Sequence, residues 1–474
     1  MSKLPDVVVV GSGPNGLAAA ITVARAGRSV LVVEASSTPG GGARTAELTE
    51  PGVLHDVCSA VHPFALASPF FASLDLGRHG LEWLQPEIPL THPLDGGRVA
   101  TLRRSVTETA EGLGPDAGVY RRLMEPLAAS FGDVADGILG PVLSVPEHPL
   151  ALARIGIPGA LPPTVLGKLF KTEEAKALLA GSAAHSFLPL NRPLVSALGL
   201  ALNAAGHAVG WPIPRGGSGQ ITEALVAELE ELGGEIECDR MVRHLTELPS
   251  AQAIIFDTDP VQMADIAGDR LPGRYRSRLR RYTPAPGVFK LDLLLDGPIP
   301  WADEHSGRAG TVHVGGTMDQ IHQAESDVVA GKHSNTPFTL VAQPSLSDPS
   351  RDPVGRHVVW SYCHVPNGST RDMTSIIEAQ IERFAPGFRN RILARASMNT
   401  AQEEAYNPNH RGGDIAGGSL GGTQLIFRPL PTLKPYRTPN PTLFLGSASA
   451  PPGAGVHGMC GHLAARSALA SALR

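Results

Sequence analysis

Val7-Val8-Val9-Val10-Gly11-Ser12-Gly13-Pro14-Asn15-Gly16 lies almost at the start of the chain, and its reading decides the fold. Four β-branched residues in a row suit a strand buried on both faces. Leu17 to Ala26 is alanine-rich and predicts a helix closed by Gly27. Ser29-Val30-Leu31-Val32-Val33-Glu34 then predicts a second apolar strand that ends in a carboxylate. Strand, glycine turn, helix, strand and acid in this order form a dinucleotide-binding unit. Gly11 permits the tight turn, Gly13 lets the backbone approach a diphosphate, and Gly16 lets helix and strand pack closely. The helix start at Pro14 and Asn15 offers unpaired N–H groups and a partial positive charge to that diphosphate. Glu34, followed by Ala35, suits the adenosine ribose hydroxyls and repels a 2′-phosphate. A glycine turn with no ligand is the alternative, and the surrounding order of elements weighs against it.

This unit alone does not separate NAD from FAD. Thr38-Pro39-Gly40-Gly41-Gly42-Ala43-Arg44-Thr45 follows directly. It resembles the second glycine motif of amine oxidases and carotenoid desaturases, which implies FAD, with Gly41, Gly42, Ala43 and Arg44 against the cofactor. Thr38 and Gly42 stand where that pattern commonly has arginines, so Arg44 is the candidate to supply the charge.

Pro212-Ile213-Pro214-Arg215-Gly216-Gly217-Ser218-Gly219-Gln220 leads into apolar positions 221, 225, 226, 229 and 232, a helical stripe. Glu235 to Cys238 and Met241-Val242 read as short strands. The desaturase resemblance makes Val242 an adenine contact. Ala253 to Phe256 is a further strand, and the Asp257-Thr258-Asp259-Pro260 turn after it resembles the family's Asn-Ala-Asp-Pro. Asp257 and Thr258 are departures from that pattern with no chemistry assigned to them. Near the end, Pro441 to Gly446 reads as a buried strand, followed by Ser447, the loop Pro452-Gly453-Ala454-Gly455-Val456-His457, and an alanine-rich helix over 463–473. A second helix N-terminus there suits a flavin, because reduction places negative charge near N1 and C2=O. Asn407-Pro408-Asn409, Gly412-Gly413-Asp414-Ile415, Arg428-Pro429 and Tyr436-Arg437-Thr438-Pro439 occur with this loop in one order. That order resembles the phytoene-desaturase-like subgroup that includes the mitochondrial pyridine nucleotide-disulphide oxidoreductase-domain homologues.

The expected fold class is α/β: a Rossmann-like FAD-binding domain of the GR2 type with an interleaved α+β substrate domain of mixed sheet plus helices. Residues 1–70, 210–287 and 406–474 are expected to form the first, and 71–209 and 288–405 the second. Gly446, Ser447, Gly455, Val456 and His457 are candidate flavin contacts, with His457 at the pyrimidine end. Lys290, in the strand-like Val288 to Leu295, resembles the superfamily lysine that faces flavin N5 through a water. Lys290 and His457 are therefore the candidate catalytic residues, and a solvated strand lysine is the competing reading of Lys290. His62 reads as a structural loop histidine. Cys460 raises a covalent flavin link, but a buried structural cysteine is commoner, so the flavin is expected to be noncovalent.

A net charge of −5 and no basic stripe give no reason to expect nucleic acid. Four scattered cysteines form no CxxC pair, so neither a disulfide framework nor a zinc site is expected, and no metal is assigned. No signal-like h-region or spanning stretch is visible, which makes a cytoplasmic location the expectation. The apolar, proline-broken 138–170 and the apolar 194–209 read first as a packed helical cap. The alternative is a peripheral membrane contact, as in carotenoid desaturases. The expected reaction is hydride transfer from a carbon of an apolar or lipid-like small molecule to flavin N5, with the electron acceptor left open, as is a homodimer. An amine oxidase, a non-redox flavin isomerase and a flavin-free prenyl-protein binding module are the alternatives. Aromatic content of 5% argues against a two-tyrosine amine cage.

Overall fold

Two sheets organise the protein, whose computed structural model describes residues 4–140 and 147–474; positions 141–146 of the apolar 138–170 stretch lie outside them. The first sheet is five-stranded and parallel, in the spatial order Leu443–Leu445, Ala253–Phe256, Val7–Val10, Val30–Val33, Glu235–Glu237. Its central strand has all four valines buried, as a parallel strand covered on both faces requires. The carboxyl ends of these strands lie along one edge, where open α/β sheets bind ligands.

Helix Pro14–Arg25 has proline in its first turn, where a missing N–H costs nothing. It packs closely on its own strand because Gly16 has no side chain: a Cβ there would lie 2.1 Å from the Gly11 carbonyl oxygen. A second glycine does the same on the other side. Helix Met459–Leu469 crosses Pro14–Arg25 so closely that a Cβ on Gly461 would stand 1.7 Å from the Asn15 oxygen. This helix begins four residues before the alanine-rich stretch at 463, after Gly458 in a left-handed conformation (φ 69°).

Met241 and Val242 are not a strand. The strand ends at Glu237, Asp239 adopts a positive φ of 56°, and the chain turns back so that Arg240 N–H donates to the Glu34 carbonyl. Val242 is buried beside this turn.

The second sheet has seven strands in the order Ile392–Met398, Gly287–Leu295, His357–Val365, Thr339–Ala342, Ala309–Val314, Ile88–Leu94, Arg98–Leu102. It is mixed: Ile88–Leu94 runs parallel to Ala309–Val314 and the other pairs are antiparallel. One face packs Phe289, Leu291, Leu293 and Val359 with helix Thr374–Phe384. The other carries Val288, Leu340, Trp360 and Tyr362, which join the same apolar core as the first sheet. Because side chains alternate along a strand, Lys290 and Asp292 share this second face with Tyr362 and Trp360, their register partners.

Arg351, fully buried, ties the two parts together. Its guanidinium pairs with Asp56 (3.0 Å) and Asp348 (2.8 Å), and these accept the Ser218 and Gly216 N–H groups of the glycine turn at 2.7 Å each. A buried pair of this kind loses about 3–5 kcal/mol when one member is removed.

Replacing Gly461 by alanine is expected to lower stability by about 1–3 kcal/mol or more, since the methyl has no free volume at the helix crossing. Urea unfolding should show a lower midpoint with an unchanged slope. An unshifted midpoint would mean the crossing is looser than described.

Candidate active site

The carboxyl edge of the parallel sheet gathers most of the residues singled out in the sequence. Gly11 has a φ of 99° and lies under Asp257, whose carbonyl oxygen would be 2.7 Å from a Cβ there. The second glycine loop sits directly on the first. Gly40 N–H donates to the Ser12 carbonyl (3.1 Å), and a Cβ on Gly41, which has φ 54°, would approach Gly13 Cα to 3.0 Å. The two turns thus form one backbone-walled cradle that any larger residue would fill.

Glu34 stands at the end of its strand, buried, accepting the Ser12 N–H (2.9 Å) and hydroxyl (2.5 Å) and, through its other oxygen, the Ser36 N–H (2.8 Å). Arg44 lies 3.5 Å from the same carboxylate. Its guanidinium also donates to the Pro39 and Thr38 carbonyls and lies over the Tyr406 ring, whose hydroxyl donates to the Gly41 carbonyl. Arg44 therefore holds the second loop against the Glu34 end of the cradle. Ala43 is fully buried, and its carbonyl accepts the Thr222 hydroxyl.

The helix start offers fewer free amides than its sequence implies. Pro14 has none, Leu17 N–H is used by the Gly13 carbonyl, and Gly16 N–H donates to Asp257 Oδ2 at 2.8 Å. Asn15 remains, buried, with its side-chain Oδ1 unpartnered among the described residues. Burial, with a smaller push from Glu34, raises the Asp257 carboxyl to about 7 against the opposing Gly16 hydrogen bond. The glycine-walled cradle, the buried unpartnered Asn15 and the acid at the strand end fit a dinucleotide with an unmodified ribose.

The second strand–loop–helix lies alongside. Gly446 N–H donates to the Phe256 carbonyl, and a Cβ on Gly446 would meet that of Ala464 at 2.9 Å. Ser447 accepts the Ser449 N–H through its hydroxyl. Gly455, with φ 132°, is exposed and Val456 half-buried, so the loop tip is free to meet a ligand.

His457 stands in that loop, but its ring is turned inward. Nδ1 accepts the Met459 N–H (3.1 Å), the Ser68 hydroxyl donates to its carbonyl, and burial lowers its pKa to about 4. This geometry makes His457 a neutral brace for the helix start, in place of the flavin-facing catalytic group expected from sequence. Cys460 is buried, its thiol directed at the Ala450 and Gly453 carbonyls and pushed up to about 12 by burial, which makes it a poor nucleophile for a flavin link. His62 is buried against Ser218, its ring 2.8 Å from that hydroxyl.

Lys290 is 2% exposed, which removes the solvated-strand reading. It pairs with Asp292 and lies 6.0 Å from the Trp360 ring centre. Trp360 donates its indole N–H to the Cys58 carbonyl (3.0 Å). Cys58 in turn packs under Gly42, whose Cβ would be 3.6 Å from its sulfur and 3.8 Å from His410 Nε2. Burial first, then Glu403, raise the Cys58 thiol, while Lys290 pulls it down, so the lysine lies within electrostatic reach of the second glycine loop. Cys58, Glu403 and His410 bring their polar atoms within 4.8 Å of one another, a grouping that no sequence spacing announces. His410 is held there by hydrogen bonds to Glu403 (3.1 Å) and Asn407 (3.2 Å).

A family profile described as an NAD(P)-binding Rossmann-like domain matches residues 9–72. Over 97% of its length the chain is 25% identical to pyridine nucleotide-disulfide oxidoreductase domain-containing protein 2 of Rattus norvegicus, covering 92% of that protein. It is also 25% identical to the lycopene-forming phytoene desaturase of Pseudescherichia vulneris, covering 96% of this chain and 97% of that one. The chain is thus similar to phytoene-desaturase-like proteins along nearly its whole length, and these likenesses support an FAD-dependent oxidoreductase. The fold is shared with putrescine oxidase, with a TM-score of 0.64 at 19% identity over 98% of this chain and 99% of that one. These likenesses point to FAD as the cofactor, and the glycine-walled cradle is the part of the structure that fits a dinucleotide.

His62 and His457 are both depressed to about 4 by burial, below the value of about 6.5 for a free imidazole. The unfolded chain binds these protons more readily, so stability is complete above about pH 6.5 and is lost as pH falls through about 4. Urea midpoints should fall between about pH 7 and 5. A midpoint that stays level or rises on acidification would contradict the neutral, buried placement of these rings.

Proposed function

We propose that this protein dehydrogenates an apolar, lipid-like substrate, using noncovalent FAD held across the two glycine turns. The observation that carries the reading is the back-to-back contact of Gly41 with Gly13, with the buried Lys290 reached from the adjacent Gly42 through Cys58 and Trp360. When bound, FAD supplies the hydride acceptor at N5. The chain's own part is to position and to exclude water. Gly11 to Gly16 and Arg44 would fix the diphosphate and adenosine, Val242 the adenine, and Gly446, Ser447, Gly455 and Val456 the ring. Lys290, its charge offset by Asp292, would order a water and move a proton beside the reacting carbon.

Among enzyme readings the wall favours a desaturase over an amine oxidase. Its rings, Trp360 and Tyr362, meet edge to face at 84°, so they do not form the parallel pair that cages an amine. The relative's phytoene is a hydrocarbon, which matches an apolar substrate here.

A further element of this reading is a cytoplasmic protein resting on a membrane surface, and the helical cap supports the membrane contact. No single helix among the described residues is long and apolar enough to cross a membrane. Helices Pro149–Gly159 and Pro163–Leu166 bury Ala151, Ile155 and Leu166 inward, while Leu150, Ile157, Leu161, Val165 and Leu169 are exposed, beside the exposed Arg154 and Lys168. An apolar outer face rimmed by cations suits the surface of an anionic bilayer.

Purified protein given FAD should show bound-flavin absorption bands; a colourless protein would favour a flavin-free binding module. Anaerobic mixing with long-chain isoprenoids should bleach the bands, whereas bleaching by amines alone would reverse the preference. Lys290→Met is expected to slow flavin reduction or reoxidation at least severalfold, and unchanged rates for both half-reactions would remove Lys290 from the mechanism. Sedimentation with anionic vesicles should fall in a Leu150→Ser, Ile157→Ser double variant; equal sedimentation of both proteins would remove the membrane contact.

A further inference from the structure

We propose that Asp257 receives the FAD diphosphate as a neutral acid, so that cofactor binding takes up a proton at this carboxyl group. The inference rests on the FAD reading of the cradle and adds a binding residue to it. Asp257 stands at the carboxyl end of the Ala253–Phe256 strand, directly over the glycine turn. Its Oδ2 accepts the Gly16 N–H and would lie 2.7 Å from a Cβ on Gly13 and 3.1 Å from one on Gly16. The carboxyl thus occupies the helix mouth through which the backbone meets a diphosphate.

Among the described residues no cation pairs with it to offset a negative charge. Asp257 makes no ion pair among the described residues. Glu34, at the end of strand Val30–Val33 on the far side of Val7–Val10, adds repulsion, and from helix Met459–Leu469 the nearby titratable group is the Cys460 thiol, itself pushed up partly by Asp257. On its own turn, Asp259 is opposed by Arg411 at 3.6 Å, and Asn409, which accepts no proton, donates to the Asp257 carbonyl. Burial already raises the Asp257 carboxyl to about 7 before any phosphate arrives. A diphosphate brought to the same mouth adds like charge and raises it further.

Protonation changes this residue from an obstacle into a donor. The acid's Oδ2 still accepts the Gly16 N–H, while the proton on Oδ1 is available to a diphosphate oxygen. This compensates for the scarcity of amides at a helix start where Pro14 has no N–H and the Gly16 and Leu17 N–H groups already have acceptors. The proton comes from solvent, and no bond other than O–H is made.

The test titrates apoprotein with FAD by calorimetry at about pH 8.5 in two buffers of different ionisation enthalpy, and follows the dissociation constant from about pH 6 to 9. Wild type should take up close to one proton per FAD at the alkaline end, with the dissociation constant rising about tenfold per pH unit above about 7. Asp257→Asn keeps an oxygen for Gly16 N–H without the charge, and should bind FAD with no proton uptake and a nearly flat profile. FAD binding by wild type without proton uptake overturns the proposal, and so does uptake that persists in Asp257→Asn. Failure of wild type to bind FAD at any pH would instead overturn the FAD reading itself. Asp257→Ser, which also lacks the carboxyl, serves the same comparison if the Asn variant does not fold: uptake lost in it supports the proposal, and uptake retained overturns it.

Discussion

Everything at the site depends on how closely three backbones approach the start of helix Pro14–Arg25. Gly16 lets the helix rest on the Gly11 carbonyl, Gly41 lets the second loop rest on Gly13, and Gly461 lets the last helix cross at Asn15. Each contact is closer than a Cβ would allow. Together they set the width of the cradle and the angle at which the C-terminal loop enters it. The apolar strands supply the stability, but these glycines supply the shape.

The same crowding governs the electrostatics. Because the backbone is so near, the carboxyls at the strand ends are buried with few counter-charges, and Asp257 is driven toward its neutral form. Glu34 keeps its place through three hydrogen bonds and the adjacent Arg44. On the facing wall Lys290 and Asp292 bury opposite charges side by side, a costly arrangement in a dry interior unless the partners stay together. The site therefore joins a strand end ordered around the Glu34 carboxylate to a wall whose buried Lys290 is paired with Asp292.

Much of this is readable in the sequence, and for physical reasons. The 7–34 unit is legible because periodicity, glycine spacing and the terminal acid are all local. The C-terminal strand and its glycine loop are legible on the same ground. Lys290 emerged only by resemblance, since a lysine in an apolar strand does not reveal which face it takes; the register with Tyr362 does. His457 is ambiguous in sequence because its neighbours point toward a flavin, while in the fold its ring accepts an N–H two residues later. Asp257, Gly461 and Arg351 lie beyond sequence reasoning because each meets a partner, Gly16, Asn15 and Asp56 respectively, more than 200 residues away in the chain. An Asp at a strand end carries no mark of the helix it will face, and a glycine early in an alanine-rich helix carries no mark of a crossing. The apolar cap was legible as composition only, and its two faces separated once burial was known.

The most direct measurement is a crystal structure of the protein grown with FAD. The account predicts density for the diphosphate over Asn15 and between Gly13 and Gly41, the ribose on Glu34, and the isoalloxazine between the Gly455–Val456 tip and the Lys290 wall. FAD bound elsewhere, or a cradle closed against it in crystals that hold the cofactor, would contradict the account at its base.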